Sequence, residues 1–209
     1  MSARLRTAPT KSALLNLRKQ VRFLADGHAL LERKRELLTR LVYQHIKEYQ
    51  GRKSTAHAAL HKAYRWLAIA QLRMGDRSIA QATLGSTPST SMKVLPRRAL
   101  GVQYPSVEAA VVAPQPVGLL GTDPSFDEAR MSFAQAAVHL AELAAVEMAL
   151  HRLISEQRKA QKRVNALKYN IIPSYRKVIK QIAESLEEEE RGTLFQIKRL
   201  RDASVKKRT

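Results

Sequence analysis

The stretch that decides the fold of this chain is ALLNLRKQVRFLADGHALLERKRELLTRL (13–41). Its apolar residues recur at intervals of three and four, which is the pattern of an α-helix that buries one face against a partner helix. A second stretch of this kind, RVNALKYNIIPSYRKVIKQIAESLEEEERGTLFQIKRLR (163–201), lies near the opposite end of the chain. The two stretches predict two long helices, one from each end.

The N-terminal helix is predicted to bury a continuous apolar seam. The seam positions are Leu14, Leu17, Val21, Leu24, Leu31, Leu38 and Val42, and Leu30, Leu37 and Leu41 widen the stripe. Thr10 is a suitable N-cap for this helix. A continuous helix from Lys11 to Gly75 would be about 95 Å long at 1.5 Å per residue. That length exceeds the core of an ordinary globular domain.

The C-terminal helix is predicted to begin near Ser125 and to run to about Ala203. Its seam passes through Val164, Ile171, Val178 and Ile182. Two such helices pair most simply in an antiparallel arrangement, because one returns where the other left. Pro173 lacks the amide that would bond to the Tyr169 carbonyl, so we expect a kink at this proline rather than a clean break.

The resulting fold class is predominantly all-α, with a long antiparallel two-helix coiled coil and a small middle region. We assign residues 1–80 to the N-terminal helix, 81–125 to the middle region and 126–209 to the C-terminal helix. Residues 84–125 hold six of the eight prolines and four of the eight glycines, which excludes a continuous helix there. The middle region is compatible with either a small β-hairpin or an irregular proline-rich loop.

The composition limits the possible functions. The 209 residues carry a formal net charge of +19, and the first 80 residues alone hold 17 basic and 5 acidic side chains. A basic coiled-coil protein that binds nucleic acid or ribosomes is therefore one interpretation. The absence of cysteine excludes disulfides and thiolate metal sites. No unbroken apolar run approaches the roughly 20 residues of a membrane-spanning helix, so we expect any membrane attachment to be indirect.

Both terminal stretches resemble the D subunits of the V-type and A-type rotary ATPases. The N-terminal resemblance is carried by PTKSALLNLRKQVRFLADGHALLERKRELL, with its Pro-Thr start, its Gly27 interruption and its Leu-Leu-x-x-Lys-Arg segment. The C-terminal resemblance is carried by residues 163–167, by Pro173 and by the glutamate-rich turn before Arg191. Together these motifs cover about seventy residues, and the middle of the chain is not recognisable.

The resemblance implies a non-catalytic rotor subunit in the central stalk. Its expected partners are the A and B subunits of the catalytic ring, the F subunit of the central stalk and the subunit that links the stalk to the membrane ring. The family implies a position on the cytoplasmic face of a membrane, as a peripheral part of the complex. No cofactor is expected on this chain, with nucleotide and magnesium bound by the partner subunits, and no direct nucleic-acid contact is expected.

The basic helix faces have two interpretations. They contact acidic loops of the surrounding ring, or they are solvated surfaces that matter only for solubility. The candidate contact residues are Arg18, Arg22, Lys34, Arg176, Lys180, Lys198 and Arg199. The glutamates at 187–190 have the same two interpretations. We expect Gly27 to mark a close approach of the partner helix, and the pair His57 and His61 to belong to an ordinary helix surface rather than a metal site.

Overall fold

The computed structural model describes residues 8–113, 115 and 121–206, with side chains up to Arg201. Its elements are α1 (Lys11–Met74), α2 (Asp76–Leu84), β1 (Thr90–Ala99), β2 (Val102–Val111), α3 (Pro124–Asn165), a π-helix (Ala166–Ile171) and α4 (Ile172–Lys206). The predicted fold class, long helices around a small middle region, is confirmed. Of the two interpretations of that region, the antiparallel β-hairpin is the one observed.

Helix α1 begins and ends where its sequence provides capping groups. The Thr10 hydroxyl oxygen accepts a hydrogen bond of 3.2 Å from the Ala13 amide, as an N-cap residue does. At the other end, Gly75 adopts a φ of 75°, a conformation that glycine enters without steric cost. Its amide still donates to the Gln71 carbonyl at 3.0 Å. The 64-residue helix therefore ends just before this glycine, and the short helix α2 follows it.

The chain forms two compact units, each containing segments from both halves of the sequence. The first unit comprises residues 1–35 and 159–209, and the second unit comprises residues 36–158. In the first unit, Lys11 lies 2.7 Å from Glu190 and Arg35 donates to Gln161 at 2.9 Å. As the residue number on α1 increases from 11 to 35, the number of its partner in the C-terminal helical segment decreases from 190 to 161. The two helical segments of the first unit are therefore antiparallel.

The second unit has the same antiparallel pairing of α1 with α3. Arg52 is paired with Glu142, and Tyr64 packs edge-to-face on Phe133 with ring centroids 5.5 Å apart. The start of α3 is well capped. Asp123 precedes Pro124 and accepts a hydrogen bond of 3.0 Å from the Ser125 amide. This carboxylate also lies 3.2 Å from Arg73, so one side chain caps α3 and contacts the last turn of α1.

Small residues line the helix contact of the second unit. Ala56, Ala63 and Ala70 are fully buried on α1 at seven-residue spacing. Their counterparts on α3 include Ala129, Ala136, Ala145 and Ala149, which are also buried. Alanine side chains allow two helices to approach closely, because no branched side chain separates them. The large buried side chains of this unit are Leu38 and Leu153.

The seam of the first unit is built from larger apolar residues. Leu17, Val164 and Ile182 are buried, as is Leu38 in the second unit. The other seam positions on α1 in this unit, with Val178 on α4, are half-buried: Leu14, Val21, Leu24 and Leu31. Val42, in the second unit, is half-buried too. Ile171 differs, because it is 38% exposed whereas Ile172 is only 9% exposed. The seam therefore passes through Ile172 rather than Ile171.

The π-helix explains this shift. The Ile172 amide donates to the carbonyl of Leu167, five residues earlier, whereas an α-helix bonds to the fourth. The wider turn accommodates one extra residue. Each following residue therefore takes the place on the helix surface that the residue before it would have in a regular α-helix. Pro173 comes directly after it and has no amide to donate. The helical path continues from α3 to α4 through this turn, so the proline does not cause a break in the helix.

The β-hairpin closes with a two-residue turn. Leu100 and Gly101 have φ angles of 51° and 80°, the two positive values of a type I′ turn. Pro96 and Pro105 face each other in the register. Because neither proline has an amide proton, this is a non-hydrogen-bonded pair. The neighbouring residue pairs form the hydrogen bonds between the two strands. Each proline nitrogen therefore lies on an outer edge of the sheet, where it removes one donor.

Candidate functional site

The candidate contact residues lie on the exposed faces of the helices. Most of them are exposed: Arg18, Arg22, Arg176, Lys180, Lys198 and Arg199. Lys34 is half-buried. Lys180 lies 3.7 Å from Glu184, one turn away, and the Arg199 guanidinium sits 6.0 Å from the centre of the Phe195 ring. The remaining positive charges point to solvent, where an acidic surface can approach them.

The end of α4 extends past the start of α1. Lys11 is the first residue of α1, and its ion pair with Glu190 marks where the two strands stop running side by side. Residues 191–201 continue the helix, and every one of them is exposed. Among these exposed residues are four large apolar ones: Leu194, Phe195, Ile197 and Leu200. Among the described residues, nothing covers this apolar and basic helix end.

The outer face of α1 also carries exposed apolar side chains in the first unit. Phe23 is 77% exposed and Leu30 is 71% exposed. They are seven residues apart and therefore share one helix face. Leu30 was expected to widen the buried seam, and the structure places it outside. Leu37, in the second unit, is also exposed, whereas Leu41 is half-buried. The seven-residue spacing of Phe23 and Leu30 was the available sequence signal for this second stripe.

The glutamate run is partly paired. The Lys11 ammonium donates a hydrogen bond to Glu190, which holds the pKa of that carboxyl below its usual value and raises the pKa of the Lys11 side chain. Glu188 lies 4.0 Å from Arg191 on its own helix. The carboxylates of the run are exposed. One of them thus ties α4 to the start of α1, and another lies near a neighbouring arginine.

The hairpin is fixed to the helices of the second unit on its β2 side. His45 of α1 packs edge-to-face on Tyr104, with ring centroids 5.8 Å apart, and Arg152 of α3 donates to the Gln103 carbonyl at 2.9 Å. A cavity of about 260 Å³ lies at this junction, lined by both acidic and basic side chains. In contrast, Ser91–Arg98 of β1 are all exposed. Strand β1 therefore presents its side chains to solvent.

Gly27 has a different environment from the one expected. A Cβ atom built on this residue would meet nothing within 4 Å. A close approach of the partner helix is therefore not the reason for glycine at this position, and the packing interpretation is wrong. Alanine would fit here without displacing a neighbour.

Metal chemistry finds no support in the described part of the chain. No group of three or more His, Cys, Asp or Glu side chains is placed to hold a metal ion in residues 8–113 and 121–201. His57 and His61 are both exposed on α1. They are one turn apart, and the described residues assemble no third ligand around them.

Within the part of the chain that the structure describes, one helical stretch has the length and composition of a membrane span. It lies within Pro124–Arg201 and contains an 18-residue window with a mean hydropathy of 1.3, of which 22% is buried. The alanines of α3 contribute much of this value. Glu142 and Glu147 interrupt the alanine-rich part of α3, and Glu142 is ion-paired with Arg52. The helix thus presents an apolar surface with charged residues within it.

Comparisons with known proteins agree with these features. The chain matches a family model described as the D subunit of ATP synthase over residues 13–202. It is 34% identical to the D subunit of the V-type ATP synthase of Thermotoga neapolitana, over 93% of this chain and 97% of that protein. It is 31% identical to the D subunit of the A-type ATP synthase of Methanosphaera stadtmanae, over 91% of each chain. The corresponding protein of Pyrococcus furiosus is 30% identical over 94% of each chain.

Proposed function

Because the chain belongs to the family of ATP synthase D subunits found in the V-type and A-type rotary ATPases, we propose that it is the central-stalk rotor of such a complex. In this role it couples ATP hydrolysis or synthesis in a catalytic ring to ion translocation by a membrane ring, through rotation. The alternative of a nucleic-acid-binding or ribosome-binding coiled coil finds no support in the comparisons.

The observation that best supports this role is the exposed end of α4. Residues 191–201 extend beyond the Lys11–Glu190 pair and expose both apolar and basic side chains. Of the described helices, only α4 continues past this pair, and one helix is narrow enough to enter the opening of a protein ring. Its exposed Leu194, Phe195, Ile197 and Leu200 can slide against an apolar lining. Such contacts have no directional preference, so they guide rotation without fixing one angle.

A two-helix rotor also provides the asymmetry that the ring needs. Chemically identical interfaces of a ring differ in conformation only when something asymmetric contacts them. An antiparallel pair presents α1 in one direction and α4 in another, with different side chains on each. Each orientation then favours one combination of open and closed interfaces, and the difference in contact free energy sets the coupling.

The proposed partners follow from membership of the complex. They are the A and B subunits of the catalytic ring, the F subunit of the central stalk and the subunit that links the stalk to the membrane ring. The chain reaches the membrane only through these subunits, on the cytoplasmic face. It binds no nucleic acid directly. The exposed β1 strand, with Lys93, Arg97 and Arg98 beside Met92 and Val94, offers one further surface for another component of the complex.

We further propose that the chain itself is not catalytic and binds no cofactor. The sequence contains no phosphate-binding Gly-x-x-x-x-Gly-Lys-Ser/Thr motif, so nucleotide and magnesium belong to the partner subunits. The basic residues of the first unit, including Arg18, Arg22, Arg176 and Lys180, then face acidic loops of the ring. Exposed charges of this kind attract an opposite surface at a distance and are screened by salt.

Co-expression with the A and B subunits tests the rotor role. We expect this chain to enter a stoichiometric complex and a probe attached to it to rotate when ATP is added. Tight binding to nucleic acid, together with failure to enter the complex, would contradict the proposal. The single-molecule rotation record distinguishes a rotor from a subunit that is merely bound.

Charge reversal tests the basic contacts separately. Arg18→Glu combined with Arg22→Glu is expected to weaken assembly with the ring, and the loss should grow as salt is lowered. Lys47→Glu combined with Lys62→Glu is a matched control, because both lysines are exposed on α1 in the second unit. Equal assembly of both double variants at low salt would show that the arginines are solvated surface only.

A further inference from the structure

We propose that the helix pair of the first unit contains an elastic joint, at the level where Gly27 of α1 lies across from the π-helix. The inference rests on the proposed rotor function for its purpose, but its structural basis lies within the first unit alone. Three independent features weaken the two strands at this level. They are the glycine, the π-turn with the following proline, and a histidine nitrogen without a partner in the seam.

Gly27 makes α1 easier to bend. Glycine in a helix interior costs about 1 kcal/mol relative to alanine, because it gains more backbone freedom in competing conformations. At most helix contacts, close packing explains such a glycine. Here a Cβ atom would meet nothing within 4 Å, so packing gives no reason for it. What the glycine contributes at this position is a lower resistance of the backbone to bending.

The C-terminal helical segment, from α3 through the π-helix to α4, is weakened by a different feature of its backbone hydrogen bonding. In Ala166–Ile171 the hydrogen bonds span five residues, and none of these side chains is buried. Pro173 then removes one more backbone donor within the next turn. Kinks in helices occur mainly at prolines, at glycines and at π-turns. This strand combines two of these three causes within eight residues.

The two weak points lie at the same height along the pair. The hydrogen bond between Arg35 and Gln161 fixes the register of the two strands. Gly27 lies eight residues before Arg35 on α1. Tyr169 lies eight residues after Gln161, inside the π-helix. Both steps correspond to about 12 Å of helix. Because the strands are antiparallel, the two steps run in the same direction and end side by side.

His28 adds a third feature at this level. It follows Gly27 in the half-buried seam, and its Nε2 atom is buried without a hydrogen-bond partner among the described residues. An unpaired buried polar atom weakens the contact in which it lies. Gly51, in the second unit, also has room for a Cβ atom, but its neighbour Arg52 pairs with Glu142 of the regular helix α3, so no π-turn lies across from it. Gly51 therefore serves as a comparison.

A joint of this kind would store torsion between the two ends of a rotor. A ring of catalytic interfaces and a membrane ring advance in steps that need not coincide. If the first unit twists at one defined level, the free energy released by a step of one ring is stored there as torsional strain until the other ring moves. A uniformly stiff helix pair would instead transmit each step at once.

Double electron–electron resonance on the full chain measures the joint directly. The sequence has no cysteine, so spin labels can be placed freely. Labels at Lys162→Cys and Lys180→Cys flank the π-helix, whereas Lys53→Cys and Gln71→Cys span an equal length of α1 without glycine or proline. Both pairs lie about 27 Å apart along the helix. We expect a broader distance distribution for the first pair.

Two substitutions then test the cause. Gly27→Ala and Pro173→Ala, combined, should narrow the 162–180 distribution to the width of the control pair, and Gly27→Ala alone should raise the melting temperature by about 2–4 °C. Gly51→Ala should raise the melting temperature similarly but leave that distribution unchanged. Equal widths for both label pairs in the unchanged chain would overturn the proposal. So would an unchanged width in the Gly27→Ala, Pro173→Ala variant.

The rotation assay separates this inference from the proposed function. If the chain rotates in the complex but its label distributions are equally narrow, the rotor role stands and the joint is wrong. If the 162–180 distribution is broad but the chain does not assemble with the ring, the joint stands and the rotor role is wrong. With both present, the stiffened variant should still assemble but pause longer between steps.

Discussion

At the scale of single residues, stability depends on a few fully buried side chains. Leu153 is one of the two large side chains that are completely buried among the described residues. Leu153→Ala should lower the free energy of unfolding by about 2–5 kcal/mol, because truncating a fully buried leucine removes apolar burial and leaves a cavity. Leu72→Ala is the control, since Leu72 is 89% exposed. Urea denaturation measures both, and equal losses would contradict the prediction.

Asp123 gives a prediction about pH. Its hydrogen bonds from the Ser125 side chain and amide, with Arg73 nearby, lower the pKa of this carboxyl from its ordinary value of 3.8. A lowered pKa in the folded state means that the carboxylate stabilises the fold above the unfolded pKa. This stabilisation is lost as the pH falls through the folded pKa. The protein should therefore lose part of the cap of α3 only in acid.

Asp123→Asn tests this sign, because asparagine can still cap the helix but carries no charge. We expect the variant to melt below the unchanged chain at neutral pH, and the difference to disappear when the pH is well below 3.8. Glu128→Gln, an exposed change near the same end of α3, should give a small difference at every pH. Thermal melting followed by circular dichroism measures both. A difference that grows in acid would contradict the assignment.

At the scale of helices, the alanine contact sets how closely α1 approaches α3. Ala63 is fully buried at this contact, whereas Ala58 is exposed on the same helix. Ala63→Leu should cost about 1–3 kcal/mol, because the larger side chain forces the helices apart. Ala58→Leu should change the stability little. The two variants have the same composition, so any difference between their denaturation midpoints comes from position alone.

The hairpin gives a prediction about its edges. Pro96 removes a donor from the exposed edge of β1, which protects this edge from pairing with other strands, whereas the β2 edge already contacts Arg152 of α3. The variant Pro96→Val should keep the hairpin but self-associate at lower concentration than the unchanged chain. Pro88→Val, outside both strands, is the control. Sedimentation velocity measures association, and identical profiles for all three proteins would contradict this role.

Much of the helical structure could be predicted from sequence, because periodicity and capping act locally. The N-cap Thr10 and the predicted start near Ser125 agree with the observed starts of α1 and α3. The shift from Ile171 to Ile172 could not be predicted in the same way. Counting intervals of three and four assumes a regular α-helix, and a π-turn breaks that count without changing the composition. The exposure of Leu30 was missed because two apolar stripes on one helix give overlapping periodicities.

At the scale of the whole molecule, the basic charge and the projecting end of α4 concern assembly rather than folding. A chain that ends at Gly192 keeps the Lys11–Glu190 pair and loses residues 193–209, of which residues 193–201 are exposed helix. We expect its melting temperature to stay the same and its ATP-driven rotation in the complex to fall. Leu194→Ser with Ile197→Ser keeps the length and should reduce rotation too. Full rotation by both variants would exclude this helix end from torque transfer.

The π-helix has a consequence for how related genes should be aligned. A turn with one residue more than an α-helix is what a single inserted codon would leave behind if the packing on both sides were preserved. Residues up to Val164 and residues from Ile172 onwards can each keep their own register, while Ala166–Ile171 takes up the difference. An alignment of this chain with a homologue that lacks the turn should therefore place a one-residue gap here. Deleting one residue from this stretch should produce a shorter but uninterrupted α-helix.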